Sequence, residues 1–293
     1  MQIKEIISAL EEFAPLALQE DYDNAGLLTG NNGWSCTGIL ISLDVTEGVV
    51  AEAIEKGYNL IVAHHPIVFR GLKRLTGKNY VEQTIITAIK NDIAIYAIHT
   101  NLDNVIQGVN GRISDLLGLT GRRVLAPKSD LLKKLAVYVP LANKASLLNA
   151  LFAAGAGTIA DYSECSFSTE GSGTYRAGEN ANPYLGEKGT RHVEAENRVE
   201  VIFPGWLQAK VVGAMKAHHP YEEVAYDIYA LANSWQETGS GMIGELPDAL
   251  DEAAMLAKLK NIFKTTVIKH TQLLGNPIKK VAVCGGAGSF LTG

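Results

Sequence analysis

The sequence predicts an α/β protein with mixed or largely parallel sheets flanked by helices, interrupted by an inserted ferredoxin-like α+β domain. Three observations support this fold class: short apolar segments alternate with helical segments up to residue 119, the pattern changes near residue 125, and the first pattern resumes near residue 240. Strands that alternate with helices form βαβ units, which place parallel strands side by side. A chain of 293 residues is also longer than one average domain.

Residues 1–125 are predicted to form helices and buried strands in alternation. The chain opens with an amphipathic helix, because apolar side chains recur at helical spacing between Ile3 and Phe13. Three short apolar runs follow, and continuous runs of this kind are typical of strands buried on both faces of a parallel sheet. The expected strands are residues 38–44, 59–63 and 93–98, and the expected helices are residues 49–56, 81–90 and 111–119.

Residues 126–239 are predicted to form a separate domain inserted into the first. Strands are expected at 135–139, 200–203 and 224–231, helices at 144–152 and 207–217, and a stretch rich in Ser, Gly, Thr and Glu lies at 163–197. These segments suggest the β-α-β-β-α-β order of a ferredoxin-like unit. The first domain is expected to resume at 240–293, with a helix at 250–263 and strands at 266–270 and 280–284.

Composition and charge narrow the class of protein. A net charge of -5 and a pI of about 5.8 argue against non-specific nucleic-acid binding, which depends on Lys and Arg neutralising phosphates. The sequence lacks the apolar run of roughly 18 residues that a membrane-spanning helix needs, and its acidic N-terminal segment is unlike a signal peptide. Its three cysteines, Cys36, Cys165 and Cys284, form no disulfide or zinc pattern, which indicates a cytoplasmic protein.

Metal-binding side chains follow two of the expected strands. His64 and His65 come directly after the strand at 59–63, and the strand at 93–98 runs into His99 and then Asp103. Ligands bind at the carboxyl ends of parallel strands, and imidazole and carboxylate are ligands for Zn, Fe and Mn. Consecutive histidines point in different directions, so His64 and His65 could bind two separate ions. Asp103 could bridge the two ions, because a carboxylate has two oxygens. Two turn histidines and a capping aspartate fit the same spacing, which leaves both interpretations open.

Five motifs occur in order on the two sides of the expected insertion: Asp23-Asn24-Ala25-Gly26-Leu27, Ser42-Leu43-Asp44-Val45-Thr46, Ala63-His64-His65-Pro66, His99-Thr100-Asn101-Leu102-Asp103 and Lys280-Val281-Ala282-Val283-Cys284-Gly285-Gly286-Ala287-Gly288-Ser289. Together they resemble the GTP cyclohydrolase type 2-like family, also called Ngg-interacting-factor-three-like. The resemblance implies intertwined α/β units, an inserted PII-like domain and a homo-oligomer, often a toroidal hexamer. It also implies a dinuclear centre with His64, His65 and Asp103 as ligands of two divalent ions, Zn, Fe or Mn.

The family's late Gly-His-x-x-x-Glu motif, whose His and Glu also bind metal, does not occur in this sequence. Either the chain is truncated or a C-terminal segment is absent from the sequence. Two imidazoles and one carboxylate are few donors for two ions, so we expect the chain as given to bind at most one ion tightly.

Three other polar residues near these motifs have two interpretations each. His99 either orients the metal ligands or faces substrate, or else it is a buried core histidine. Asp44 fits a helix cap better than a catalytic role. Asp23 is expected to hold the loop around Gly26, with a contact to substrate as the alternative.

Two further segments carry weaker signals. Gly286, Gly288 and Ser289 follow a strand, and their backbone amides would suit a substrate phosphate, although a tight turn is the simpler interpretation. The second His-His-Pro, which begins at His218, follows a helix and resembles a motif of divalent-cation-tolerance proteins. We expect it to serve the fold of the inserted domain rather than a metal.

Two functions of different classes are consistent with the sequence. The first is a metal-dependent hydrolase that acts on a nucleotide or a related small molecule, as the family name implies. The second is a non-catalytic, metal-binding regulatory or carrier protein whose PII-like insert senses a ligand. A shared family does not fix the reaction, so both remain open at the level of sequence.

Overall fold

The computed structural model describes residues 1–286 and 288–291, apart from the side chains of Ser289 and Phe290. The chain forms two compact units. The split unit consists of Met1–Pro127 together with Glu237–Gly293, and the middle unit is Lys128–Gln236. That these units are separate folding domains remains a prediction.

The secondary structure follows the chain in regular order. The strands are β1 (Gly26–Thr29), β2 (Ile39–Ser42), β3 (Leu60–Ala63), β4 (Ala94–Ala97), β5 (Thr120–Lys128), β6 (Leu132–Pro140), β7 (Phe167–Arg176), β8 (Arg191–Pro204), β9 (Tyr226–Leu231), β10 (Trp235–Leu250) and β11 (Ile278–Val283). The helices are α1 (Ile3–Phe13), α2 (Glu47–Lys56), α3 (Tyr80–Lys90), α4 (Thr100–Asp103), α5 (Val109–Leu117), α6 (Lys144–Ala153), α7 (Gln208–His218) and α8 (Glu252–Phe263). None of these helices is both long enough and apolar enough to cross a membrane.

A mixed four-stranded sheet organises the first part of the split unit. Its strand order is β1-β4-β3-β2, with β2, β3 and β4 parallel and β1 antiparallel to β4. Every residue of β3 and β4 is buried, as their continuous apolar sequences predicted. The core on one face of the sheet joins Ile61 and Ile95 to Val50 of α2 and Ile85 of α3. The carboxyl ends of the three parallel strands therefore lie at one edge of a rigid layer.

The ends of the crossover helix α2 are fixed by local chemistry. The hydroxyl of Thr46 accepts a hydrogen bond from the backbone N–H of Val49, which caps the first turn. Gly57 ends the helix in the left-handed conformation that glycine adopts without strain. Thr46 is thus the cap, and Asp44, for which sequence favoured that role, has a different partner described below.

The second sheet of the split unit has three strands in the order β11-β10-β5. Strands β10 and β11 are antiparallel, and Leu246 of β10 packs with Met255 of α8 in a small core. The strand expected at 266–270 is wrong, because this segment has no regular secondary structure. Val267 within it is 71% exposed, so a short apolar run without a neighbouring strand to pair with did not become a strand.

The middle unit has the β-α-β-β-α-β order of a ferredoxin-like fold. Its four strands are all antiparallel to their neighbours, in the order β7-β8-β6-β9. Leu135, Phe203, Leu147 and Val211 are completely or almost completely buried in one core with α6 and α7. The polar stretch at 163–197 contains most of the long β7–β8 hairpin. Its Ser-, Gly- and Thr-rich composition did not predict strands there.

Gly30 makes a close approach that no other residue would allow. Its φ is +95°, and an added Cβ would lie 2.6 Å from the Cα of Ala94 in β4. We expect Gly30→Ala to lower the free energy of unfolding by about 2–6 kcal/mol, since backbone strain and overpacking each cost about 1–3 kcal/mol. Urea denaturation followed by circular dichroism measures this loss.

The matched control for that prediction is Gly57→Ala. Gly57 also has a positive φ, of +68°, but an added Cβ would meet nothing within 4 Å. Only the left-handed conformation then opposes alanine, at a cost of about 1–2 kcal/mol. An equal loss of unfolding free energy in both variants would show that the contact of Gly30 with Ala94 does not contribute to the effect.

Candidate metal centre

Three histidines and two carboxylates meet at the carboxyl ends of the parallel strands. His64 and His65 directly follow β3, His99 lies two residues beyond β4, and Asp44 lies two residues beyond β2. Side chains from different crossovers converge here because adjacent parallel strands end at the same edge. Asp23, from the loop before β1, completes the group through a contact with His99.

The three imidazoles are close enough to share a metal ion. One ligand atom from each of His64, His65 and His99 lies within 4.8 Å of the other two. The ring centroids are 5.0 Å apart for His64 and His65, 5.1 Å for His64 and His99, and 5.6 Å for His65 and His99. From the sequence, His99 is expected to orient the metal ligands, to face substrate or to lie in the core. The structure instead places it in the same cluster as the other two histidines.

Each of these imidazoles is held through its Nδ1 atom. The Nδ1 of His64 lies 2.9 Å from the carbonyl oxygen of Ile98, that of His65 lies 2.7 Å from Asp44 Oδ1, and that of His99 lies 2.7 Å from Asp23 Oδ1. Carbonyl and carboxylate oxygens only accept hydrogen bonds, so each Nδ1 donates its proton. When such a ring is neutral, its Nε2 carries the lone pair that a metal can accept, which is the arrangement that metal-ligating histidines adopt.

Asp23 is the functional residue whose role the sequence did not reveal. Its side chain is fully buried, and it accepts hydrogen bonds from the backbone and hydroxyl of Thr100 as well as from His99 and the Asn24 backbone. Burial raises the pKa of this carboxyl, but those hydrogen bonds outweigh burial and lower the pKa below its ordinary value. Asp23 therefore remains charged and holds the His99 ring in place. Its only signal in the sequence is its position in the first motif.

Asp103 lies beside the histidines at the end of α4. Its Oδ1 is buried and has no hydrogen-bond partner among the described residues. Burial raises the pKa of Asp103, while positive charge on His64 and His99, when those rings are protonated, acts in the opposite direction. A buried carboxylate oxygen without a partner is costly unless something outside the protein chain, such as a cation, compensates it.

The glycine-rich loop after β11 comes close to Asp103. An added Cβ on Gly286 would lie 3.8 Å from Asp103 Oδ2, an ordinary van der Waals distance, so the loop runs beside this carboxylate. The side chain of Asn110 donates to the Asp103 carbonyl and accepts from the Gly285 N–H, which ties the loop to α4. The predicted substrate contacts of Gly286 and Gly288 stay predictions, and the Ser289 side chain lies outside the described residues.

The second His-His-Pro has a structural arrangement. His219 Nε2 lies 2.8 Å from the carbonyl oxygen of Tyr138, and its Nδ1 accepts from the backbone N–H of Tyr221. Both ring nitrogens are thus occupied, and burial lowers the pKa of His219, which keeps the ring neutral. His218 Nδ1 bonds to the Ala214 carbonyl at the end of α7. This motif serves the fold of the middle unit.

Asp44 is expected to act on metal affinity through His65 without touching the metal. Replacing Asp44 with alanine removes the acceptor that fixes the ring and the tautomer of His65, and loss of such a partner costs about 10–100-fold in metal affinity. Isothermal titration with Zn²⁺ or Mn²⁺ measures the change. Asp115→Ala, which removes a surface carboxylate paired with Arg122, is the matched control and should leave affinity unchanged. An unchanged affinity in Asp44→Ala would contradict this role.

Comparison with known protein families gives one match over the whole chain. The model of the family described as DUF34/NIF3 (NGG1p interacting factor 3) matches residues 1–293. The chain is 40% identical over 287 residues to a Bacillus subtilis protein named GTP cyclohydrolase 1 type 2 homolog, and the match covers 98% of this chain and 77% of that protein. The Mycobacterium tuberculosis protein of the same name is 34% identical, with 99% and 77% covered.

Solved structures show the same fold. The crystal structure of a Bacillus cereus protein related to NIF3 superimposes with a TM-score of 0.84 at 41% identity, and the match covers 98% of this chain and 77% of that one. A Staphylococcus aureus protein of known structure gives a TM-score of 0.72 at 28% identity, with 99% and 76% covered. The α/β fold with mixed sheets flanked by helices that the sequence predicts is confirmed by these neighbours.

Proposed function

This chain belongs to the DUF34/NIF3 family, and on that premise we propose that it is a divalent-metal-dependent hydrolase acting on a nucleotide or a related small molecule. The observation that supports this proposal is the cluster of three imidazoles held through Nδ1. Imidazoles fixed in one tautomer at a cavity edge lose little freedom when they bind an ion, so the site is prepared for metal before metal arrives.

The proposed ligands are His64, His65 and Asp103, and His99 joins them as a fourth donor. Nitrogen and carboxylate donors of this kind fit Zn, Fe or Mn. Asp103 Oδ1 is buried without a hydrogen-bond partner among the described residues, so this carboxylate would help to hold an ion beside the histidines. A bound ion would supply Lewis-acid activation of water and of a substrate oxygen. The protein itself contributes fixed ligands, through the contacts of Asp23, Asp44 and the Ile98 carbonyl.

A cavity of about 650 Å³ next to His65 supports the small-molecule substrate class. Its volume lies in the range of roughly 300–1,000 Å³ that is common for small-molecule sites. Asp44 and His65 line it together with Phe69, Arg70 and Tyr80. An arginine suits a phosphate group and aromatic rings suit a nucleobase, so this lining fits a nucleotide. The backbone of Gly286, Gly288 and Ser289 is proposed as a further substrate contact.

A turnover assay with GTP tests the proposal. The full chain is incubated with GTP and added Mn²⁺, Fe²⁺ or Zn²⁺, and product is followed over many turnovers. Sustained formation of product that stops when a chelator is added is the expected result. Stoichiometric metal uptake with no turnover of GTP or other nucleotides would instead support the second function, a metal-binding regulatory protein. The separate cavity of the middle unit favours that alternative.

The assembly and location complete the proposal. We place the protein in the cytoplasm, supported by its free cysteines Cys36, Cys165 and Cys284. We propose a closed homo-oligomer, since closed symmetry is the common outcome for oligomers of one chain, and the family resemblance supports a hexamer. Light scattering is expected to give about six times the chain mass of 31.4 kDa. A mass of one chain at micromolar concentration would refute the hexamer.

A further inference from the structure

A second cavity lies wholly within the middle unit. It has a volume of about 860 Å³ and is lined by β7, β8 and the segments 177–184 and 221–225. This volume again lies in the range of roughly 300–1,000 Å³ that is typical of small-molecule sites. None of its lining residues belongs to the metal centre, so the proposed hydrolysis gives it no role.

Three of the tyrosines that line this cavity have neighbouring rings. The ring centroids of Tyr175 and Tyr221 are 6.0 Å apart, and those of Tyr184 and Tyr221 are 6.2 Å apart. Tyr184 is 54% exposed, which places its ring at the entrance. Aromatic faces carry negative quadrupolar charge, so a group of such rings favours a cation over an anion.

A buried carboxylate lies beside the tyrosines. Glu196 of β8 is only 8% exposed, and its Oε1 accepts a hydrogen bond of 2.9 Å from the hydroxyl of Tyr221. Its other oxygen lies over Gly173, where an added Cβ would come within 2.0 Å of it. The Glu196 carboxylate therefore occupies space that a side chain at position 173 would fill. A buried carboxylate is costly unless charge or hydrogen bonds compensate it.

The lining as a whole carries negative charge. Five glutamates and two arginines line the cavity, and one of the arginines, Arg198, is already bonded to Glu200 at 2.9 Å. Burial and this negative charge together raise the pKa values of two of the tyrosine hydroxyls. Burial and the hydrogen bond to Glu196 raise the pKa of Tyr221, and burial and the charge of Glu194 raise the pKa of Tyr175. An anionic ligand would meet the same repulsion.

We propose that this cavity binds a small organic cation, whose flat amidinium, guanidinium or ammonium group lies against the tyrosine rings and donates to Glu196. Charge-assisted hydrogen bonds to a carboxylate and contacts with aromatic faces both strengthen when the site excludes water. The middle unit then has a ligand site of its own, with a chemistry different from that of the metal centre. This inference does not depend on the proposed hydrolase activity.

Binding of three isosteric probes tests the charge preference. Benzamidine, benzamide and benzoate share one flat ring and differ in charge, and each is titrated into the full chain by calorimetry and by ligand-observed NMR. Saturable binding of one benzamidine per chain, with benzamide and benzoate much weaker, is expected. Benzoate bound as tightly as benzamidine would overturn the proposal. So would no saturation by benzamidine, which is the result if another copy of the chain fills the cavity.

Variants of two lining residues locate the bound cation. Glu196→Gln keeps an acceptor for Tyr221 but removes the charge, and it should weaken benzamidine binding by about tenfold or more. Tyr184→Leu should weaken it by roughly two- to fivefold, whereas Tyr184→Phe, which keeps the aromatic face, should not. Glu187→Gln, in an exposed loop outside the cavity, is the matched control. Unchanged affinity in both Glu196→Gln and Tyr184→Leu would refute the assignment.

Discussion

His64→Ala is expected to reduce metal affinity by more than about 100-fold and to abolish any metal-dependent turnover. The imidazole it removes is proposed to bind the ion directly, and its Nδ1 is held at 2.9 Å by the Ile98 carbonyl. Loss of a residue that only supports a metal ligand lowers metal affinity by about 10–100-fold. Loss of a ligand itself should therefore lower metal affinity by more than that. Competition titration against a chromophoric chelator measures affinities of this range in the full chain.

The chain contains its own matched control for that experiment. His218→Ala alters the first histidine of the second His-His-Pro, which follows a helix and bonds to the Ala214 carbonyl. This variant should bind metal as the original chain does. Comparable losses in both variants would mean that metal binds non-specifically to histidines, and the proposed centre would be wrong.

Phe203→Ala is expected to destabilise the middle unit by about 3–5 kcal/mol, which is the usual cost of removing a buried phenylalanine. Phe203 is 1% exposed and lies in the core with Leu135, Leu147 and Val211. If the two units fold separately, calorimetry will show one transition moving to lower temperature while the other stays. Metal uptake by His64, His65 and His99 should persist in this variant.

The control for this variant is Phe167→Ala in β7 of the same unit. Phe167 is 66% exposed, so its removal should cost little. A single transition that shifts as a whole in Phe203→Ala, together with loss of metal uptake, would show that the units fold as one. That result would refute the inserted-domain assignment.

The position of the histidine cluster could be predicted because local sequence pattern and sheet topology agree there. The apolar run Leu60–Ala63 is a strand in the structure, and His64 and His65 follow it directly, as expected. Parallel pairing of β3 with β4 then brings His99 to the same edge. Helices with apolar spacing, such as Ile3–Phe13, also lie where the pattern predicted.

Contacts that depend on distant segments could not be predicted. Asp23 bonds to a histidine 76 residues away, and nothing local in either segment indicates the other. The β7–β8 hairpin is rich in Gly, Ser and Thr, which weakens strand propensity, and it forms because pairing with β6 extends a sheet already present. Residues 266–270 show the opposite case, in which a short apolar run remained without a strand partner.

The side chain of Asn110 has a consequence for the order in which the protein assembles during synthesis. It joins the carbonyl of Asp103 to the N–H of Gly285, which lies 175 positions later in the chain. At about 5–20 residues per second, a ribosome needs roughly 10–35 s to cover that interval. The three histidines therefore leave the ribosome well before the glycine loop that borders Asp103. The contact between the glycine loop and Asp103 therefore forms only after β11 has been synthesised.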